Sequence, residues 1–142
     1  MGWLMVAYSF KAQFEEPIVA LAKRQTVRGY RKRHARPGEP IQLYTAMRTR
    51  QCRKLLSVDP TCLDVRHIRI ELSAVHPAFI AGISIEGVAL DDQAIEMFAV
   101  ADGFGGGLAE GFARRRMGEF WHREYDWAAF EGVVIRWEPR HG

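Results

Sequence analysis

Between Lys23 and Lys54 the chain carries eleven cationic side chains (Lys23, Arg24, Arg28, Arg31, Lys32, Arg33, Arg36, Arg48, Arg50, Arg53 and Lys54) against a single acid, Glu39. Recognition of phosphate is the chemistry such a run serves. Arginine outnumbers lysine by 16 to 4 over the whole chain, and its planar fork makes paired hydrogen bonds to phosphate oxygens and stacks on bases. Tyr30, set among Arg28, Arg31, Lys32 and Arg33, offers an aromatic face for a base, as does Tyr44. The net charge of +3 understates this asymmetry, because residues 86–131 carry ten carboxylates against four arginines. A folded domain with such halves is expected to show a basic face; the alternative is an ordinary solvated surface.

Other chemistries find less support. His34, His67, His76, His122 and His141 have no ligand spacing, and Cys52 and Cys62 form no CxxC pair, so neither a metal site nor a disulfide framework is expected. No cofactor is implied. The stretch Gly103-Phe104-Gly105-Gly106-Gly107 is followed by Leu108, without the Lys-Ser/Thr of a phosphate loop, and reads as a hinge or loop. His34 is expected to join the basic loop, and Arg114-Arg115-Arg116 to lie solvated on a helix. Phe120, Trp121, Tyr125 and Trp127 have core-like spacing. No apolar run reaches the roughly 18 residues of a membrane span, and the start has neither the basic region nor the apolar length of a signal peptide, so a cytoplasmic protein with reduced thiols is expected, beginning at Met1 or Met5.

At 142 residues the chain fits a single domain over 1–142. Val6, Tyr8 and Phe10 alternate within an opening strand from Met5. Glu15, Glu16 and Pro17 suit the first turn of a short helix ending near Ala22, and Gln25–Arg28 reads as a short strand, so Lys23 and Thr26 fall at a helix-to-strand turn. Arg36-Pro37-Gly38-Glu39-Pro40 is a turn into a strand with Ile41, Leu43 and Thr45 on one face. Strands are expected over 50–58, over 65–72 with Ile68, Ile70 and Leu72 inward, and around Ile83 and Ile85. Asp91 and Asp92 suit the cap of a helix with Ala94, Met97, Phe98 and Ala101 inward. Leu108, Phe112, Ala113, Met117, Phe120 and Trp121 mark another helix, and Val133, Ile135 and Trp137 one face of a closing strand. Strands first, helices late and a returning strand give an α+β class.

Ala22-Lys23-Arg24-Gln25-Thr26-Val27-Arg28 resembles the opening signature of the ASCH family, a Lys-x-x-Thr-x-Arg at the end of its first helix. Pro37-Gly38-Glu39-Pro40 is similar to that family's turn into a strand, Ala101-Asp102-Gly103-Phe104 to its late acid-Gly-Phe motif, and Phe130–Trp137 to its terminal strand. The ordered set spans residues 5–137. The resemblance implies a PUA-like β-barrel with short flanking helices, and roles in RNA binding, RNA processing or hydrolysis. In the family's small amidohydrolases, which act on acetylated cytidine, a Lys, a Thr and a Glu work together; carried over, these are Lys23, Thr26 and Asp102, the last one methylene shorter than the Glu. Crowding by Arg24, Arg28 and Arg31 would then bring the Lys23 pKa toward neutrality, letting it accept the Thr26 proton while Asp102 orients it and Arg28 steadies an oxyanion or phosphate.

Two function classes follow. The first is a module that binds RNA, single-stranded nucleic acid or a nucleotide-like ligand through Arg28, Tyr30, Arg31, Arg33, Arg48 and Arg50. The second is a metal-independent hydrolase, an amidohydrolase on a modified nucleoside or a ribonuclease, that uses Lys23, Thr26 and Asp102; the lack of a His pair makes the nuclease the less natural of the two.

Overall fold

The computed structural model describes residues 6–105, 112–125 and 129–140. Among these the architecture is α+β, with eight strands in two sheets and three helices. The strands are β1 (Val6–Phe10), β2 (Gln25–Arg28), β3 (Ile41–Thr45), β4 (Arg53–Lys54), β5 (Thr61–Leu72), β6 (Ile80–Ile85), β7 (Val88–Ala89) and β8 (Ala129–Glu138); the helices are α1 (Glu15–Val19), α2 (Asp92–Ala99) and α3 (Ala113–Glu124). One sheet has the order β1-β3-β4 and the other β2-β8-β5-β6-β7. Among the described residues no closed barrel is found. The chain divides into two compact units: residues 1–26, 31–65 and 135–142 form the first, and 27–30 and 66–134 the second.

In the first unit β1 and β3 run parallel, with Val6 opposite Ile41, Tyr8 opposite Leu43 and Phe10 opposite Thr45. All six are buried, as period-two alternation on both strands requires when one face meets a core. Phe14, Ile18, Cys62 and Trp137 complete that core. Burial pushes the Cys62 thiol up to about 11, so it is an inert hydrophobe, whereas Cys52 is exposed. Between β3 and β4 the strand expected over 50–58 shrinks to two residues. Ala46 and Arg48 take left-handed backbone conformations, and Thr49 bonds back to the Ala46 carbonyl at 2.7 Å, so the chain turns where alternation suggested extension. Arg136 on β8 grips Asp64 on β5 with two parallel hydrogen bonds, of 2.9 and 2.5 Å.

The second unit packs α2 and α3 with β6. Asp91 caps α2 by accepting from the Ala94 N–H at 2.8 Å, as its sequence position suggests. The inward face of α2 is Ile95, Phe98 and Ala99; Met97, expected in the core, is 64% exposed. Leu108, expected to open α3, lies outside the described residues, and Phe112 is exposed. The first turn of α3 is closed by Glu96, whose carboxylate accepts from the Ala113 and Arg114 N–H groups at 3.0 and 2.9 Å. Arg114, expected to be solvated, is instead buried: its guanidinium bonds the Ile80 carbonyl at 2.8 and 3.2 Å and Asp92 at 2.8 Å, tying α3 to β6 and α2. Helical period explains this, since Arg114 lies three residues before Met117 and four before Gly118, on the inward face. Trp121 packs on Tyr125 and Phe130, a core role that the spacing suggested; Trp127 lies outside the described residues. On β8 the buried set changes phase, from Phe130, Gly132 and Val134 to Ile135 and Trp137, so Val133 is only half-buried. That change falls at the boundary between the two units.

Two glycines in the second unit permit close backbone approach. A Cβ on Gly118 would overlap the Ala78 carbonyl oxygen and sit 2.9 Å from the Phe79 Cβ; one on Gly132 would overlap the Arg28 carbonyl oxygen. Both obstacles are backbone and cannot swing away. Gly118→Ala and Gly132→Ala are each expected to cost about 1–3 kcal/mol in urea unfolding, as overpacked sites do. Gly29→Ala, with nothing within 4 Å, should stay within about 0.5 kcal/mol of wild type. Equal costs at all three positions would contradict the close approaches.

Candidate functional site

The polar side chains buried in the first unit, among the described residues, are Lys23, Gln25, Thr26 and Thr45. Three of them fall within four consecutive positions. Their delivery begins at the end of α1, where the Leu21 N–H bonds the Ile18 carbonyl at 3.0 Å and the Ala22 N–H bonds the Pro17 carbonyl at 2.9 Å. This paired pattern with a left-handed residue, here Leu21 at φ 62°, stops a helix and redirects the chain. The Lys23 N–H also reaches the Pro17 carbonyl, and the next residues extend into β2. The Trp137 N–H donates to the Arg24 carbonyl at 3.0 Å, fixing the entry to that strand.

Lys23 is 3% exposed, with Nζ 4.7 Å from the Phe14 ring centroid and 5.8 Å from that of Phe10. Aromatic faces attract a cation, and more strongly where water is excluded. Arg24 is exposed with Nε on the Leu21 carbonyl at 2.8 Å, and the Arg31 guanidinium lies over the Tyr8 ring at 4.5 Å. Thr26 is 4% exposed. A buried hydroxyl three residues from a buried amine is a pair of types able to serve as nucleophile and base. Asp102 belongs to the second unit and is 5% exposed, inside a π-helical turn (Val100–Phe104) where Gly103 has φ 103°. Arg116 donates to the Phe104 carbonyl and holds that turn to α3.

The basic run sorts into engaged and available cations. Arg33 forks onto Glu39, at 3.2 and 2.5 Å, while Glu39 also accepts from the Arg36 N–H at 2.6 Å. Arg53 pairs with both carboxylate oxygens of Glu15, and Lys54 with Asp59 at 2.9 Å. Arg24, Arg31, Lys32, Arg36, Arg48 and Arg50 are exposed and pair with no carboxylate among the described residues, although Arg24 and Arg31 each set Nε on a nearby carbonyl, that of Leu21 and that of Arg33. Of the expected ligand contacts in the first unit, Arg31, Arg48 and Arg50 are therefore available and Arg33 is engaged. Arg24, Lys32 and Arg36 join the available set. One signal in the sequence could have separated them: Glu39 is the only acid in the run, and it stands at turn distance from Arg36 and Arg33. In the second unit, Arg28 is half-buried on β2, and Tyr30 is 61% exposed with its ring stacked on the His67 imidazole, centroids 6.0 Å apart. Tyr44 is half-buried on β3.

His34 lies in the basic loop, as expected, and also reaches the sheet. Its Nδ1 lies 2.9 Å from the buried Tyr8 hydroxyl, the two rings stack, and the same hydroxyl accepts from the Ala35 N–H at 3.2 Å. The basic loop is thereby anchored to β1. Among the described residues no cluster of His, Cys, Asp or Glu has the geometry of a metal site, and no helix is long and apolar enough to cross a membrane. No protein-family model, curated protein or solved structure matches the chain.

The Arg33 fork holds the Glu39 carboxyl below its usual range, and the Arg36 N–H adds to this. A depressed folded value means that the stabilisation is complete above the ordinary carboxylate value near 4.5 and is lost as pH falls through the lower one. Glu39→Gln should therefore lower stability in the neutral region and flatten the acid limb below pH 4.5, its curve meeting that of the wild type at low pH. An acid limb as steep as wild type's would show that the pair does not exist in solution.

Proposed function

We propose that this chain is an ASCH-type domain of the PUA-like β-barrel class whose basic surface binds RNA, single-stranded nucleic acid or a nucleotide-like ligand. The observation that carries the reading is a group of six exposed cations of the basic run in the first unit, Arg24, Arg31, Lys32, Arg36, Arg48 and Arg50, without carboxylate partners among the described residues, while Arg33, Arg53 and Lys54 are neutralised. Unpaired arginines on a surface are costly in self-repulsion and gain most from a polyanion. In the second unit the exposed Tyr30 ring offers by itself a face for a base.

A second reading is supported by the burial of Lys23 and Thr26. In it the Lys23 amine takes the Thr26 hydroxyl proton as the oxygen attacks an amide or ester carbonyl of a modified nucleoside, the Lys23 ammonium returns that proton to the departing amine or alcohol as the old bond breaks, and water then hydrolyses the Thr26 ester, with no metal or cofactor; the family resemblance gives Asp102 the role of orienting the lysine. The shorter Asp102 makes this reading the less supported of the two.

The test is binding of a fluorescent ten-nucleotide single-stranded RNA from 50 to 300 mM salt, alongside turnover of N4-acetylcytidine. Six phosphate contacts give a slope of log K against log salt of about −4.2, and Arg48→Ala and Arg50→Ala should each reduce its magnitude by about 0.7. RNA affinity independent of salt and of both arginines would contradict the binding reading. Turnover that disappears in folded Lys23→Ala and Thr26→Ala would establish the hydrolase; no turnover would remove it.

A further inference from the structure

The exposed cations of the first unit are not held alike. The Lys32, Arg36, Arg48 and Arg50 side chains make no hydrogen bond among the described residues. Arg24 is held at one point, with Nε on the Leu21 carbonyl at 2.8 Å. Arg31 is held at two: its Nε donates to the Arg33 carbonyl at 2.8 Å, and its guanidinium carbon lies 4.5 Å from the centroid of the Tyr8 ring. A guanidinium over an aromatic face is attracted to it, so the ring is a second restraint.

Both supports are themselves fixed. Tyr8 is buried on β1 opposite Leu43, and its hydroxyl lies 2.9 Å from His34 Nδ1 while accepting the Ala35 N–H at 3.2 Å. The Arg33 carbonyl belongs to a residue whose guanidinium forks onto Glu39 and donates to the His34 carbonyl at 2.9 Å, and Glu39 in turn takes the Arg36 N–H at 2.6 Å. The 31–39 segment is thus braced by its own side chains, and Arg31 is attached to the brace. Because Glu39 matches the charge of Arg33, the Arg31 charge beside it stays unmatched.

A guanidinium can grip an oxyanion by either of two edges, Nε with one Nη or the two Nη groups together. In Arg31 the Nε–H is occupied by the Arg33 carbonyl, which closes the first edge. The second stays open, since its Nη groups make no hydrogen bond among the described residues. That edge carries two parallel N–H donors at the spacing of two oxygens on one phosphate. A side chain already held gives up little rotamer freedom on binding, whereas a loose one must be ordered by the ligand.

We infer that Arg31 is a preset fork for a single phosphate group, gripping two of its oxygens through the Nη edge, with the Tyr8 ring and the Arg33 carbonyl as its positioning groups. Lys32, Arg36, Arg48 and Arg50 add charge without fixed geometry. The inference rests on the proposed binding of RNA or a nucleotide and adds which residue holds the phosphate that both carry.

The test compares Arg31→Lys and Arg48→Lys in the full chain, with a ten-nucleotide single-stranded RNA and cytidine 5′-monophosphate as probes. Lysine keeps the charge and removes the fork, and at an exposed position it leaves the core intact. Arg31→Lys should weaken RNA binding by about tenfold and Arg48→Lys by about twofold, both with the salt slope of wild type. The same ratio with cytidine 5′-monophosphate assigns the fork to a lone nucleotide as well; the ratio with RNA alone assigns it to the backbone of a strand, and either supports it. In the free chain the Arg31 Nε–H should exchange with water more slowly than that of Arg48, because only the first is hydrogen-bonded. Salt-dependent RNA binding that the two lysine variants weaken equally, or equal Nε–H exchange at the two arginines, overturns the fork and leaves the binding reading standing. Failure of both probes to bind removes that reading and the fork with it.

Discussion

The parallel pairing of β1 with β3 is the constraint on which the first unit depends. Parallel strands cannot be joined by a tight turn, so the chain needs a long crossover to return in the same direction. Residues 11–40 are that crossover, and they carry Lys23, Thr26 and the first basic cluster. The pairing itself supplies the anchors. Phe10 gives an aromatic face to Lys23, and the Tyr8 hydroxyl ties His34 and the Ala35 N–H back to the sheet. A segment with few apolar residues is ordered by a strand that precedes it and a strand that follows it.

Charge is distributed by the same logic. Wherever the first unit has an acid within reach, it neutralises a nearby cation: Glu15 takes Arg53, Glu39 takes Arg33, Asp59 takes Lys54 and Asp64 takes Arg136. Each of these pairs joins residues distant enough in sequence to staple a turn or two strands. Surface pairs of this kind add little stability individually. Their larger effect is selection, because within the basic run they leave Arg24, Arg31, Lys32, Arg36, Arg48 and Arg50 without a carboxylate partner among the described residues.

Most strands were legible because alternation over five or more residues is hard to mistake: β1, β3 and the second half of β5 carry buried residues at the expected positions. The acid-capped start of α2 was legible for the same local reason. Features set by tertiary contact were not. Nothing local marks Ala46 and Arg48 as left-handed, so the strand around 50–58 was overdrawn. Arg114 is buried only because α3 lies against the Ile80 carbonyl, and Met97 is exposed because the helix rotates Ile95, Phe98 and Ala99 inward instead. At the candidate site the residue types were legible from the basic run and the Lys-x-x-Thr spacing. The division of arginines into engaged and available was legible only for Arg33, which has Glu39 at turn distance; the pairing of Arg53 with Glu15 was not, since it joins residues far apart in sequence.

That division is the central claim, and side-chain NMR reads it directly. The arginine Nε–H signals of the full chain would be followed during titration with single-stranded RNA. The account predicts that Arg31, Arg36, Arg48 and Arg50 shift and saturate together while Arg33 and Arg53, held by Glu39 and Glu15, stay near their starting positions. Shifts confined to the paired arginines, or no shifts at RNA concentrations well above those of the protein, would contradict it.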